Sequence, residues 1–206
     1  VAHGQRVLIA LDDLPQARQC LEMLVARDTG RLPRDGIVRA TIESLSENLT
    51  DGVLTPLWAL CLFGLPGLIL VKVISSLDSL VGYRNARYAR FGWAGARSDD
   101  LIALAAALLR LYPRLALQSA RQYHAMLPSP NSGWSEAACA GALRVRLIGP
   151  IHSDGQLVTE QYMGDPDWPA DLDAGHLRAA LRLILICCLL ALVVGLMLAV
   201  LRVWMP

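Results

Sequence analysis

Lysine is all but missing from this 206-residue chain: Lys72 stands alone, and the remaining basic side chains are arginines. A P-loop needs a lysine after a glycine-rich turn, and none is present, so any nucleotide would be held in another way. Charge is scarce as a whole. Asp, Glu, Lys and Arg make up 18% of the chain with a net charge of +1, where an average soluble domain carries about a quarter. Without a strong field of either sign, nucleic acid and strongly acidic partners drop out. The five cysteines, Cys20, Cys61, Cys139, Cys187 and Cys188, show no CxxC pair and no Cys/His ligand spacing, which argues against a disulfide framework or a zinc site and leaves small buried thiols. GxSxG and HExxH are absent as well, and the isolated His3, His124, His152 and His176 read as surface or satisfied residues rather than catalysts. No signal peptide opens the chain. It begins at Val1, inside a pattern that already reads as helix, which is expected of a fragment or of a gene start placed too late.

What the chain has in excess is apolar residues, 54% of the total, and they fall in discrete runs. Leu183 to Val203 carries one charge, Arg202, at its far end; at about 1.5 Å per residue it crosses a hydrocarbon core of about 30 Å. Val53 to Ile74 is also long enough. Pro56, Pro66 and Lys72 interrupt it, but proline is tolerated where neighbouring helices satisfy the backbone, and a lysine near an end can snorkel. Leu101 to Leu117 contains Arg110, Pro113 and Arg114 and reads as a short span, a re-entrant piece or an interfacial helix. The arginines flanking the first span balance, so orientation is not fixed. The expected fold class is all-α: a polytopic helical membrane protein with amphipathic helices and long polar loops. Its segments are 1–52, amphipathic helices; 53–74, a transmembrane helix; 75–100, a polar loop; 101–117, the short apolar helix; 118–177, a second polar loop; and 178–204, a transmembrane helix.

Within 1–52, apolar residues recur at helical spacing from Arg6 to Val25, and Arg27-Asp28-Thr29-Gly30 breaks that pattern. Pro33 and Asp35 then open a second helix towards Asn48. On it Arg39, Glu43, Glu47 and Asp51 follow at steps of four and share one face, with Asn48 beside them. The same stripe would suit a solvated helix face with ion pairs. Here it leads straight into a span, where unpaired carboxylates are costly and tend to have a ligand or a metal as partner. The loop after the span packs Asp78, Ser79, Tyr83, Arg84, Asn85, Arg87 and Arg97 among aromatics. Guanidinium forks suit phosphate and carboxylate, although composition alone leans towards a juxtamembrane belt. Asp99-Asp100 could hold a magnesium ion, but a helix N-cap pair is the more frequent explanation.

The order of these segments resembles the adenosylcobinamide-phosphate synthase family (CobD/CbiB type) of polytopic inner-membrane enzymes. The matching pieces are Val25 to Thr29; Arg39 to Asn48 with Asp51-Gly52; Leu77-Asp78-Ser79 with Gly82 to Asn85; Tyr88 to Trp93; Ala96-Arg97 with Asp99-Asp100; and Ser129 to Trp134 followed by Glu136-Ala137-Ala138. The resemblance implies a multi-pass protein of the cell inner membrane that uses ATP and magnesium to join aminopropanol, or its phosphate, to a carboxylate of adenosylcobyric acid, a corrinoid. Membrane lipid and other late cobalamin-pathway enzymes are its implied partners, with no nucleic acid. It assigns Glu43, Glu47, Asp78, Asp99 and Asp100 as catalytic candidates, and Glu43, Glu47 and Asp51 as candidate magnesium ligands. Arg27, Asp28, Arg39, Asn48, Ser79, Tyr83, Arg84, Asn85, Arg87, Arg97, Ser129, Asn131 and Glu136 become candidates for binding substrate.

This chain departs from the family pattern at Ala103 and Ala106-Ala107-Leu108, where Asn and Pro-Ala-Arg are usual. It also departs at Ser75-Ser76, at Leu127 and at Gly36. The family's early membrane helices have no counterpart, which implies an N-terminally truncated chain. A non-catalytic relative that binds a corrinoid or organises partner enzymes is the alternative, and the substitutions at 103 and 108 favour it.

Overall fold

The computed structural model describes residues 1–25, 27–81, 101–102, 104–126, 130–153 and 156–204, with side chains described throughout these except at 74–81, 130–132, 152–153, 156–158 and 202–203. The chain opens with two short helices, α1 (Ala2–Ala10) and α2 (Leu14–Glu22). The single amphipathic helix expected from Arg6 to Val25 is thus two. Pro15 in the first turn of α2 cannot continue a preceding helix, and the Asp13 carboxylate caps α2 by accepting from the Gln16 N–H at 3.3 Å. Val7, Ala10, Leu11, Ala17 and Leu21 are buried, and Gly4 lets α1 approach Leu45 and Leu181 so closely that a Cβ there would lie 2.9 Å from each.

Helix α3 (Arg34–Leu49) starts after Pro33, as its residues predict. It does not stop before the apolar run. A π-helical turn, Thr50–Leu54, joins it to α4 (Thr55–Val81), and Gly64 at φ 69° breaks α4 two residues before Pro66. After helical backbone at 101–102 and 104–108, Arg110 turns at φ 55° and α5 (Pro113–Tyr123) leaves as a separate helix. The expected helix at 101–117 is therefore not one element. Leu101, Ile102, Ala105 and Ala106 are buried in the protein core, and the Cys187 thiol reaches the Leu101 carbonyl at 3.8 Å.

A 3-10 turn, His124–Met126, leads towards α6 (Pro130–Leu143). α5 and α6 pack backbone to backbone: a Cβ on Gly141 would strike the Leu115 carbonyl, and one on Gly133 the His124 carbonyl. Two small antiparallel ladders follow, β1 (Leu147–Ile148) with β4 (Tyr162–Met163) and β2 (Ile151–Ser153) with β3 (Gln156–Thr159). They correct the all-α expectation. Ile148 at φ 65° and Gly149 at φ 75° turn the chain between β1 and β2. The last helix, α7 (Ala174–Trp204), is capped by Asp173, whose Oδ1 accepts from the N–H groups of Gly175 (2.8 Å) and His176 (3.0 Å).

Among the described residues two helices are long and apolar enough to cross a membrane, within Arg34–Val73 and within Ala174–Leu201. Both are two-part rods. Leu177, Ala180, Leu181, Ile184 and Cys187 of α7 are buried in the body of the protein, whereas Leu196, Met197 and Val200 beyond them stand exposed. On α4, Phe63, Leu65, Ile69 and Leu70 are exposed as well. The exposed halves meet at a small residue: a Cβ on Gly195 would lie 3.0 Å from Leu57, and the Cys61 thiol reaches the Gly195 carbonyl at 3.8 Å.

Candidate functional site

Helix α3 carries its charged stripe inward. Arg39 and Glu43 are only 5% and 9% exposed, and such burial requires partners. Arg39 donates to Asp35 Oδ2 at 2.9 Å, one turn earlier, and to the Ala170 carbonyl at 2.7 Å. Its guanidinium also lies 5.2 Å from the centre of the Tyr162 ring, over which Arg146 sits at 4.8 Å. Glu43 is held at both oxygens. Arg27 donates to Oε2 at 2.6 Å, and the buried N–H of Ile148 donates to Oε1 at 2.8 Å. Burial raises the Glu43 carboxyl above the ordinary carboxylate range, while Arg27 and the Ile148 N–H oppose the rise.

Glu136 comes from α6 to the same place. It is 6% exposed, and burial first, then the fields of Glu43 and Glu47, push its carboxyl well above the ordinary range. Glu47 stands at the exposed rim of this group and is raised by its crowded surroundings and by Glu43. Below them the Cys139 thiol, hydrogen-bonded to Ser46, is pushed up to about 12 by burial.

On the other side of the Arg27–Glu43 pair lies a cavity of about 570 Å³. Arg27, Arg31 and Arg39 line it together with Asp28, Asp35, Gly36, Pro150, Ile151 and Tyr162. Asp28 is occupied in part, because its Oδ1 accepts from the Gly30 N–H at 2.9 Å. The Nε–H groups of Arg27 and Arg39 are buried without an acceptor. Three guanidinium groups lining one cavity suit an oxyanion, phosphate or carboxylate.

Of the residues expected to act together, Arg27, Glu43, Glu47 and Glu136 form one group, and Arg27, Asp28 and Arg39 share the cavity. Asn48 does something else with its amide, which donates to the Ser44 carbonyl at 2.7 Å. Glu43, Glu47 and Asp51 do not surround one ion. Steps of four residues spread them over about 12 Å of helix, both Glu43 oxygens are taken, and among the described residues no three His, Cys, Asp or Glu side chains gather as a metal site. Tyr83, Arg84, Asn85, Arg87, Arg97, Asp99, Asp100 and Ser129 lie outside the described residues, as do the side chains of Asp78, Ser79 and Asn131. Arg31, Asp35, Arg146 and Tyr162 were not foreseen. Asp35 extends the four-residue stripe of α3 by one step and could have been read from it. The others reach the site only through tertiary folding.

The fold and site thus define a mostly helical protein with two membrane-length helices and a buried, arginine-lined polar site at their base. The chain belongs to the CobD/Cbib protein family, whose profile matches residues 1–184. It is 45% identical over 188 residues to the cobalamin biosynthesis protein CobD of Rhodobacter capsulatus, an alignment covering 85% of this chain and 59% of that protein. With the CobD protein of Geobacter metallireducens it shares 42% identity over 218 residues, 98% of this chain and 68% of the relative. The Rhizobium meliloti CobD protein is 40% identical over 179 residues, 79% of this chain and 55% of the relative. The chain therefore spans little more than half the length of some of these relatives. No solved structure matches it.

Proposed function

We propose that this chain forms the polar site of a membrane-embedded amide ligase of cobalamin biosynthesis, one that joins aminopropanol or its phosphate to adenosylcobyric acid at the expense of ATP. Family membership supports the pathway, since the matching relatives are cobalamin biosynthesis proteins. The observation that carries the chemistry is the juxtaposition of an arginine-lined cavity with buried carboxyls, divided by the Arg27–Glu43 pair. Amide formation from a carboxylate needs an activated acyl group, conventionally an acyl phosphate, and therefore a place for phosphate oxygens close to a group that handles protons. Arg27, Arg31 and Arg39 serve the oxyanion and the carboxyls serve the amine. Among the described residues Glu43, Glu47 and Asp51 do not converge on one ion. The exposed apolar halves of α4 and α7 support a site at the edge of a bilayer.

The test is growth dependent on supplied cobyric acid, in cells whose only copy is the full-length protein carrying Arg39→Ala or Glu47→Ala. Both substitutions are expected to abolish growth, and normal growth of both would remove the proposal. One observation favours a non-catalytic corrinoid binder instead: Ala106 is fully buried and Leu108 is exposed, where the family usually has Pro and Arg. Purified protein that binds cobyric acid yet releases no ADP when aminopropanol phosphate is added would select that reading.

A further inference from the structure

Among the described residues the charges around Glu136 do not balance. Three carboxyls, Glu43, Glu47 and Glu136, gather between α3 and α6, and among the described residues the basic group that meets them directly is Arg27, whose ion pair is with Glu43. Arg39, one turn below Glu43, is engaged by Asp35 and the Ala170 carbonyl. Among the described residues neither a hydrogen bond nor an ion pair holds the Glu136 carboxyl, although Glu136 is 6% exposed. A largely buried carboxyl that meets no donor is costly to ionise, and that cost falls when a cation or a set of N–H donors arrives. Glu47, at the exposed rim, leaves the group open to solvent on one side.

From this geometry we infer that Glu136 and Glu47 form a binding site for a primary ammonium group, with Glu136 as the residue that then takes its proton. The inference rests on the amide-forming reading for the step that follows binding. An ammonium fits better than a divalent ion. Each Glu43 oxygen already accepts a hydrogen bond, from Arg27 or Ile148, and two carboxyls at different depths suit a compact donor of three N–H bonds. It also fits the neighbourhood, since the oxyanion cavity begins on the far side of Arg27. Deprotonation is balanced in itself: one N–H bond of the ammonium breaks, an O–H bond forms on the Glu136 carboxylate, and the lone pair left on nitrogen is free to attack an acyl carbon. Burial and the adjacent carboxylates raise the proton affinity of Glu136, which suits it to accept that proton.

The experiment uses the full-length protein in lipid nanodiscs and measures equilibrium binding of ethanolamine, with ethylene glycol as the analogue that replaces the ammonium by a hydroxyl. The wild-type protein is expected to bind ethanolamine and not the glycol. Glu136→Gln and Glu47→Gln are each expected to weaken that binding about tenfold or more, the effect of losing a charge-assisted hydrogen bond. Asp12→Asn, at an exposed carboxylate paired with Arg34, should leave it unchanged. Glu47→Gln at the exposed rim keeps the test alive should Glu136→Gln fail to fold. Equal binding of ethanolamine and glycol by the wild type, or wild-type affinity in both Gln variants, overturns the inference. Displacement of ethanolamine by magnesium in the wild type, lost in Glu136→Gln, also overturns it, by reassigning the site to a metal. Amine binding of the expected kind without ADP release would count against the ligase reading alone, so the two failures are separable.

Discussion

Glu43 and Ile148 lie 105 positions apart and are joined by a 2.8 Å hydrogen bond from the Ile148 N–H to the Glu43 carboxylate. Ile148 sits at φ 65°, a left-handed conformation that a β-branched residue rarely adopts. The bond fixes the turn that carries Gly149, Pro150 and Ile151 to the cavity wall, and Arg27 locks the other oxygen. Glu43→Gln retains an acceptor for Ile148 but strips Arg27 of its counter-charge. With both side chains largely buried, the expected loss of stability is about 2–3 kcal/mol, read as a lowered thermal midpoint in detergent. Glu43→Ala should cost about 1–2 kcal/mol more, because it also orphans the Ile148 N–H.

Stability should fall as the solution becomes alkaline. Glu136 has a raised pKa in the fold, so between its ordinary value of 4.5 and the raised one the folded state holds more protons than the unfolded state. Stability is then complete below 4.5 and is lost as pH rises through the folded-state pKa. Glu43 and Glu47, also raised, act in the same direction. Glu136→Gln removes the largest contribution. Thermal midpoints measured over about pH 5 to 9 should decline less steeply for that variant than for the wild type; parallel curves would contradict the burial of an ionisable Glu136.

Gly149→Ala should damage the cavity. At φ 75° the position disfavours any side chain, and a Cβ would lie 2.8 Å from Tyr162 Cε1 and 2.9 Å from Arg39 Nη1. The strain costs about 1–3 kcal/mol, and relief requires that Tyr162 or Arg39 move. Binding of inorganic phosphate to the cavity, followed by calorimetry, should weaken along with the thermal midpoint.

Gly141→Ala tests a different part of the fold. The new methyl would meet the backbone carbonyl of Leu115, which cannot swing aside as a side chain can. Helices α5 and α6 must separate, at about 3 kcal/mol or more, and with them goes the placement of Glu136. Failure to purify as folded protein, or a midpoint lowered by many degrees, is the expected result.

Cysteine labelling offers an independent check on the packing between α3 and α6. Cys139 is buried, is bonded to Ser46 and has its thiol pushed up to about 12. It should resist a maleimide at about pH 8, while the half-buried Cys20 reacts. Rapid labelling of Cys139 in folded protein would show that the α3–α6 contact is open.

Much of the site was legible in the sequence because it is written at helical spacing. Arg39, Glu43 and Glu47 recur every four residues after a proline that starts a helix, so their shared face needs no tertiary information. The partners of that face were harder to read. Glu136 was foreseen only through the family resemblance, Tyr162 comes from a strand of two residues, too short for any periodicity to register, and Arg146 from the irregular chain just before β1. The break between α1 and α2 was hidden because the apolar spacing runs on across it, although Asp13 and Pro15 mark it chemically. The apolar stretch 101–117 misled through composition: in its first half Leu101, Ile102, Ala105 and Ala106 are apolar because they are buried inside the protein, and its second half belongs to an amphipathic helix. Asp78 to Asp100, on which part of the expectation rested, lies outside the described residues or side chains.

The helix that carries Glu43 and Glu47 continues through the π turn at Thr50–Leu54 into the first part of α4, as far as the break at Gly64. Glu47 and Val53 are six residues apart, about 9 Å along one rod. With α4 in a bilayer, the acid cluster stands at a set height, at the level of the lipid headgroups. Under the proposed function a bulky reactant would come in sideways across that surface, and a change in bilayer thickness would shift the acid cluster and its anchor together instead of pulling them apart.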